Sequence, residues 1–131
     1  MMRPLQGIKV IEMAGLAPSP YCGMLLSDFG AEVVVVDRLS KGRPEIPNVM
    51  NKNPFDRGKE SVQINLKSDE GVEIVKKMMR DSDVLVEPYR PGVMESLGLG
   101  PEDAFAVNPG LVYARLTGWG QKGPYASMAG H

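Results

Sequence analysis

A single cysteine and a single histidine are all this chain has of the two side chains that most often build crosslinks and metal sites. Cys22 has no partner for an internal disulfide, and there is no Cys/His cluster to hold a metal. A disulfide-built secreted scaffold is therefore ruled against, and a reducing, intracellular setting is expected. It could be the cytoplasm or, in a eukaryote, the mitochondrion or peroxisome. Aromatic residues are scarce at 6%. No apolar run approaches the roughly 20 residues that a helix needs to cross a bilayer. The opening MMRPLQGIKV lacks the apolar centre of a signal peptide. Neither charge sign is in excess: fifteen Lys and Arg face sixteen Asp and Glu. The broad basic field of a nucleic-acid binder is thus missing. The glycine fingerprint G-x-G-x-x-G is missing too. The turn after the first apolar run reads GLAPSP instead, which weighs against a nicotinamide or flavin site.

What is present is an ordinary globular mixture, 43% hydrophobic and 24% charged over 131 residues, enough for one domain. Lys9–Met13 (KVIEM) reads as a first strand. Tyr21, Met24, Leu25 and Phe29 recur at helical spacing, which predicts an amphipathic helix from about Ser19 to Phe29, ended by Gly30. Glu32–Asp37 (EVVVVD) is a second strand whose unbroken β-branched run suits a parallel sheet covered on both faces. From Leu39 to Phe55 prolines, glycine and scattered charges make a long loop, of the kind that is more often functional than idle.

Ser61–Leu66 alternates as a third strand. Ser68 is placed to cap a helix whose apolar stripe is Val72, Val75 and Met79, beside Ile74 and Met78. Val84–Glu87 is a fourth strand, Pro101 opens a short helix closed by Asn108-Pro109-Gly110, and Leu111–Leu116 is a fifth strand. Gly118 to Gly123 is a glycine-rich loop. Nine methionines are many, but those on a helix face read as core filling. Strict alternation of strand and helix predicts an α/β, Rossmann-like doubly wound sheet, mainly parallel, with right-handed crossovers.

Such a sheet binds ligands beyond the carboxyl ends of its strands. Arg38 follows the second strand, Lys67 the third and Arg90 the fourth. Three cations at one sheet edge suit a multiply phosphorylated ligand, since guanidinium meets phosphate oxygens in a two-pronged way. Arg38 taken alone, on its spacing, reads better as a solvated surface arginine. His131, the one histidine, comes just after the glycine-rich loop; histidine is the side chain best suited to moving protons near neutral pH. The last residues, Ala129-Gly130-His131, look like an interruption, so a piece or truncated product of a longer chain is expected.

Four stretches carry a resemblance: LQGIKVIEMAGLAPSPYCGMLLSDFGAEVVVVDR, NLKSDEG, LVEPYRPGVMESLGLGP and NPGLVYARLTGWGQKGP. Together, and in this order, they resemble the family III CoA-transferase fold from about Leu5 to the end. Residues 1–131 would then be the N-terminal, Rossmann-like, CoA-binding part of the family's large domain. Met128-Ala129-Gly130-His131 looks like the branch of α-methylacyl-CoA racemases, in which a histidine at this place accepts a proton. The resemblance implies a 2-methyl-branched acyl-CoA substrate and inversion of its α-carbon, with His131 as one base. The second, an aspartate, is expected beyond residue 131, so this stretch alone should be inactive.

The resemblance further implies that Arg38 and Ile64, Asn65, Leu66 and Lys67 contact the CoA nucleotide. Arg90 is a further candidate there, and Gly130 would adjoin the acyl group. It implies an interlocked homodimer, and no cofactor beyond the CoA carried by the substrate. Glu60 and Ser96 depart from the family pattern, where basic residues are common, and could weaken phosphate binding. Two other readings stay open. One is CoA transfer by an aspartyl nucleophile outside this stretch. The other is an inactive truncated product that at most binds CoA or pairs with a full-length partner.

Overall fold

The computed structural model describes residues 2–16, 18–39 and 53–130. The elements are β1 (Lys9–Met13), α1 (Pro18–Asp28), β2 (Glu32–Arg38), β3 (Lys59–Ile64), α2 (Asp69–Arg80), β4 (Val84–Glu87), α3 (Val93–Ser96), α4 (Pro101–Val107) and β5 (Val112–Arg115). The five strands form one sheet in the order β3-β2-β1-β4-β5, and all four pairings are parallel. This is the expected doubly wound α/β architecture. The strand order reverses between β1 and β4, so the connections that follow these two strands run to opposite faces of the sheet, α1 to one and α3 and α4 to the other. Most of the expected Leu39–Phe55 loop lies outside the described residues, as does His131.

Alternation along the strands sends side chains to two cores. On one face Ile11, Met13, Val36 and Leu85 pack against Val75 and Met79 of α2, Met94 of α3 and Ala104 of α4. On the other, Val10, Val33 and Val86 meet Cys22 and Leu26 of α1. Ser68 caps α2 as expected, its Oγ accepting from the Gly71 N–H. Pro101 opens α4.

Two expectations need correction. The buried face of α1 is Ser19, Gly23, Met24 and Ser27, while Tyr21, Leu25 and Phe29 are exposed. At Gly23 no side chain fits because a buried ion pair fills the space beneath: Glu12 Oε2 lies 2.6 Å from Lys59 Nζ, both side chains 2% exposed. β3 runs from Lys59 to Ile64 rather than from Ser61 to Leu66. Lys59 and Glu60 already pair with Val33 and Val34, and Asn65 turns the chain by accepting from the Lys67 N–H. A further element, α3, is a single turn that starts after Gly92 in the left-handed region, where the sequence reading assigned no element. Among the described residues no helix is long and apolar enough to cross a membrane.

Candidate functional site

The candidate residues gather at the carboxyl edge of the sheet, in three adjoining clefts. The first, about 640 Å³, is lined by Arg38 and Leu39 after β2, by Ile64, Asn65, Leu66 and Lys67 at the β3–α2 turn, and by Tyr89, Val93 and Leu97. Its walls are apolar and both of its charged side chains are cations. That combination suits a flat ring held between aliphatic walls with phosphate at the mouth. Five of the residues expected to contact the nucleotide therefore share one cleft.

Arg90 does not line this cleft. It lines a second one of about 790 Å³, together with Arg38, Asp37, Glu12 and Asp56. Carboxylates there offset the arginines, so a polyanion is better accommodated in the first cleft. Arg90 also lines a third cleft, about 280 Å³, with Leu16, Pro88, Pro91, Leu116, Met128 and Gly130. This one is largely apolar. Glu60 and Ser96 line none of the three.

Gly130 reaches this edge because the chain after β5 folds back on itself. A Cβ on Gly118 would come within 2.6 Å of Gly130 Cα, so the two backbones touch. The Trp119 indole N–H donates to the Ala129 carbonyl at 2.9 Å, and the Trp119 and Tyr125 rings lie 5.7 Å apart. His131 follows Gly130 in sequence but lies outside the described residues.

Sequence reasoning did not single out Tyr89, yet it lines all three clefts. The Arg38 guanidinium carbon stands 5.4 Å from its ring centroid, a cation–π approach. Its hydroxyl donates to the Ala14 carbonyl at 2.9 Å, tying the β4 loop to the β1 loop across the switch point. Burial pushes this hydroxyl's pKa up, against the pull of Arg38. Gly15 is pressed against the Pro88 ring in the same crossing, which leaves no room for a side chain. The available signal was the Pro88-Tyr89-Arg90-Pro91 segment, whose flanking prolines fix the backbone.

Beneath Tyr89 lies a second feature the sequence did not announce. Glu87 is completely buried, and its Oε2 accepts from the Tyr89 N–H at 2.8 Å. Its Oε1 accepts from Arg115 Nε at 2.7 Å. The other two guanidinium nitrogens of Arg115 meet both carboxylate oxygens of Glu95 at 2.6 and 2.9 Å. Burial raises the Glu87 carboxyl above its ordinary value, more than Tyr89 and Arg115 lower it. Arg115 holds the more exposed Glu95 below its own.

The parallel sheet in this strand order, with a cationic, apolar-walled cleft at its carboxyl edge over β2 and β3, defines a doubly wound α/β domain. The chain belongs to CoA-transferase family III, whose model matches residues 5–131. It is 50% identical to the alpha-methylacyl-CoA racemase of Mus musculus over 127 residues, 97% of this chain and 31% of that protein. It is 40% identical to the succinyl-CoA–D-citramalate CoA-transferase of Chloroflexus aurantiacus over 136 residues, 98% of this chain and 34% of that one. A crystal structure of a CAIB/BAIF family protein from Brucella suis superimposes with a TM-score of 0.86 at 34% identity, covering all of this chain and 38% of the other. The chain thus spans about a third of the length of these relatives.

Proposed function

We propose that the protein carrying this chain racemises 2-methyl-branched acyl-CoA thioesters, and that these residues supply its N-terminal CoA-binding part. The observation that carries this reading is the adjacency of two clefts across Tyr89. One has cations and suits the nucleotide end. The other is apolar, contains Gly130, and suits the acyl end. In this reading Arg38 and Lys67 meet phosphate oxygens, while Ile64, Asn65 and Leu66 flank the base. Arg90 lies between the two ends, and Gly130 brings the chain close to the thioester.

His131, next in sequence, then removes the α-proton from one face. The electron pair shifts into the thioester carbonyl as an enolate, and positioned dipoles hold the developing charge. An acid on the opposite face returns a proton, which inverts the centre. The family resemblance assigns that acid to an aspartate outside this stretch. The 50% identity to a racemase supports this reading.

The test is solvent-isotope exchange in the full-length protein. Either epimer of a 2-methylacyl-CoA incubated in deuterated water should acquire α-deuterium and become an epimer mixture. His131→Ala should abolish exchange from one face and leave residual exchange on the other. The similarity to a CoA-transferase favours a second reading, CoA transfer through an aspartyl nucleophile. Transfer of CoA to a free carboxylic acid without α-deuteration would establish it instead.

A further inference from the structure

Burying a carboxylate and a guanidinium is costly, and a well-packed apolar pair often serves a core equally well. Glu87 has no solvent exposure and the Arg115 side chain is 15% exposed, so this cluster has a price that packing alone does not explain. Its connections account for it. Arg115 on β5 reaches Glu87 on β4 and Glu95 on α3 at once, so it fixes both ends of the loop 88–92. The remaining oxygen of Glu87 takes the Tyr89 N–H, which sets where the tyrosine leaves the strand. The tyrosine ring in turn carries the Arg38 guanidinium. Neither Arg115 nor Glu87 lines the three clefts, so neither meets a ligand in them directly.

We infer that Arg115 and Glu87 are positioning residues for the anion-binding cleft, holding Arg38 in register through the backbone and ring of Tyr89. The inference rests on the reading that this cleft binds CoA. It makes Arg115 a determinant of CoA affinity about one strand spacing beyond the walls of the site. A guanidinium is required because only it can satisfy Glu87 and Glu95 together. An ammonium at the same position keeps the charge but not the fork.

The experiment is a double-mutant cycle on the full-length protein, read by calorimetric titration with CoA. Arg115→Lys, which keeps the buried positive charge, should weaken CoA about 5- to 10-fold while kcat at saturating substrate is retained. In an Arg38→Ala background the same change should have a much smaller effect on affinity, because only the direct contact of the Tyr89 ring with the cleft is left. A purely structural role would lower affinity equally in both backgrounds, and that result overturns the inference. An unchanged affinity in Arg115→Lys also overturns it, while sensitivity to Arg38→Ala would leave the CoA reading intact. If the unsubstituted protein fails to bind CoA, both fall. Glu87→Gln is the second variant: it keeps the shape but only one acceptor oxygen, so its amide nitrogen must face the Tyr89 N–H or Arg115 Nε, and it too should weaken CoA, with the loss much reduced in the Arg38→Ala background.

Discussion

The carboxylate of Glu12 occupies the volume a side chain on Gly23 would need, so the strand residue dictates a glycine in the middle of the helix above it. Glycine in a helix interior is ordinarily a weakness, and alanine there would stabilise by about 0.5–1 kcal/mol. Here the sign reverses. Gly23→Ala should destabilise by about 1–3 kcal/mol, because it pushes the carboxylate away from Lys59. Urea unfolding decides the matter, and a stabilised variant would show that α1 can lift off the sheet at no cost.

Removing the lysine of the same pair should be more damaging. Lys59 Nζ holds Glu12 and also donates to the Pro20 carbonyl at 2.9 Å, so it joins β3, β1 and α1. Lys59→Met leaves a buried carboxylate without its partner and should cost about 3–5 kcal/mol. The double variant Glu12→Gln, Lys59→Met should be closer to the unsubstituted protein than Lys59→Met alone. If the two losses simply add, the residues are not coupled as their distance requires.

The pair also sets a pH dependence. Burial raises the Glu12 carboxyl above its ordinary 4.5, more than Lys59 lowers it. The folded state therefore binds this proton more readily than the unfolded one. Its stabilising contribution is complete below 4.5 and is lost as pH rises through the raised folded value. Relative to Glu12→Gln, the unsubstituted protein should lose stability as pH is raised from below 4.5 to neutral. Denaturation midpoints across that range give the slope, and a rising difference would contradict the assignment.

Arg38→Ala should weaken CoA binding by about 1.5–3 kcal/mol, the contribution of one charge-assisted hydrogen bond. The loss should shrink in high salt, since Arg38 is exposed at the cleft mouth. Titration at two ionic strengths tests both parts. Equal affinities at low salt would remove Arg38 from the site.

The contact between Gly118 and Gly130 makes its own prediction. Trp119 is the one tryptophan of these 131 residues, so in this chain its fluorescence reports on this loop. Gly118→Ala should force the backbones apart, break the Trp119–Ala129 hydrogen bond and shift the emission, while the unfolding midpoint moves little. An unaltered spectrum would mean the loop is not held by that contact.

Most of the sheet was legible because its signals are local. The VVVV run, the strand–helix alternation and the cap at Ser68 each involve a few neighbouring residues, and together they constrain the topology strongly. The cleft residues Arg38 and Ile64 to Lys67 were legible from their places at strand ends and from the family resemblance. What failed to show was set by distant partners. The Tyr21, Leu25, Phe29 spacing has helical period, but the buried face of α1 is set by distant partners, Glu12 under Gly23, the Met13 carbonyl on Ser19 and the Gly58 carbonyl on Ser27, which no period in α1 encodes. Glu87 and Arg115 lie 28 positions apart, and each resembles a polar residue at the end of a strand. Only the parallel pairing of β4 with β5 sets them side by side.

One tyrosine ring serves as a wall of three clefts, so the free energies of filling them are not independent. The ring is held on two sides, its hydroxyl on the Ala14 carbonyl and its face under the Arg38 guanidinium, so it is a fixed partition between neighbouring spaces. Whatever one ligand does to its position is felt by a ligand in the adjoining cleft, and thermodynamic linkage makes that effect the same whichever arrives first.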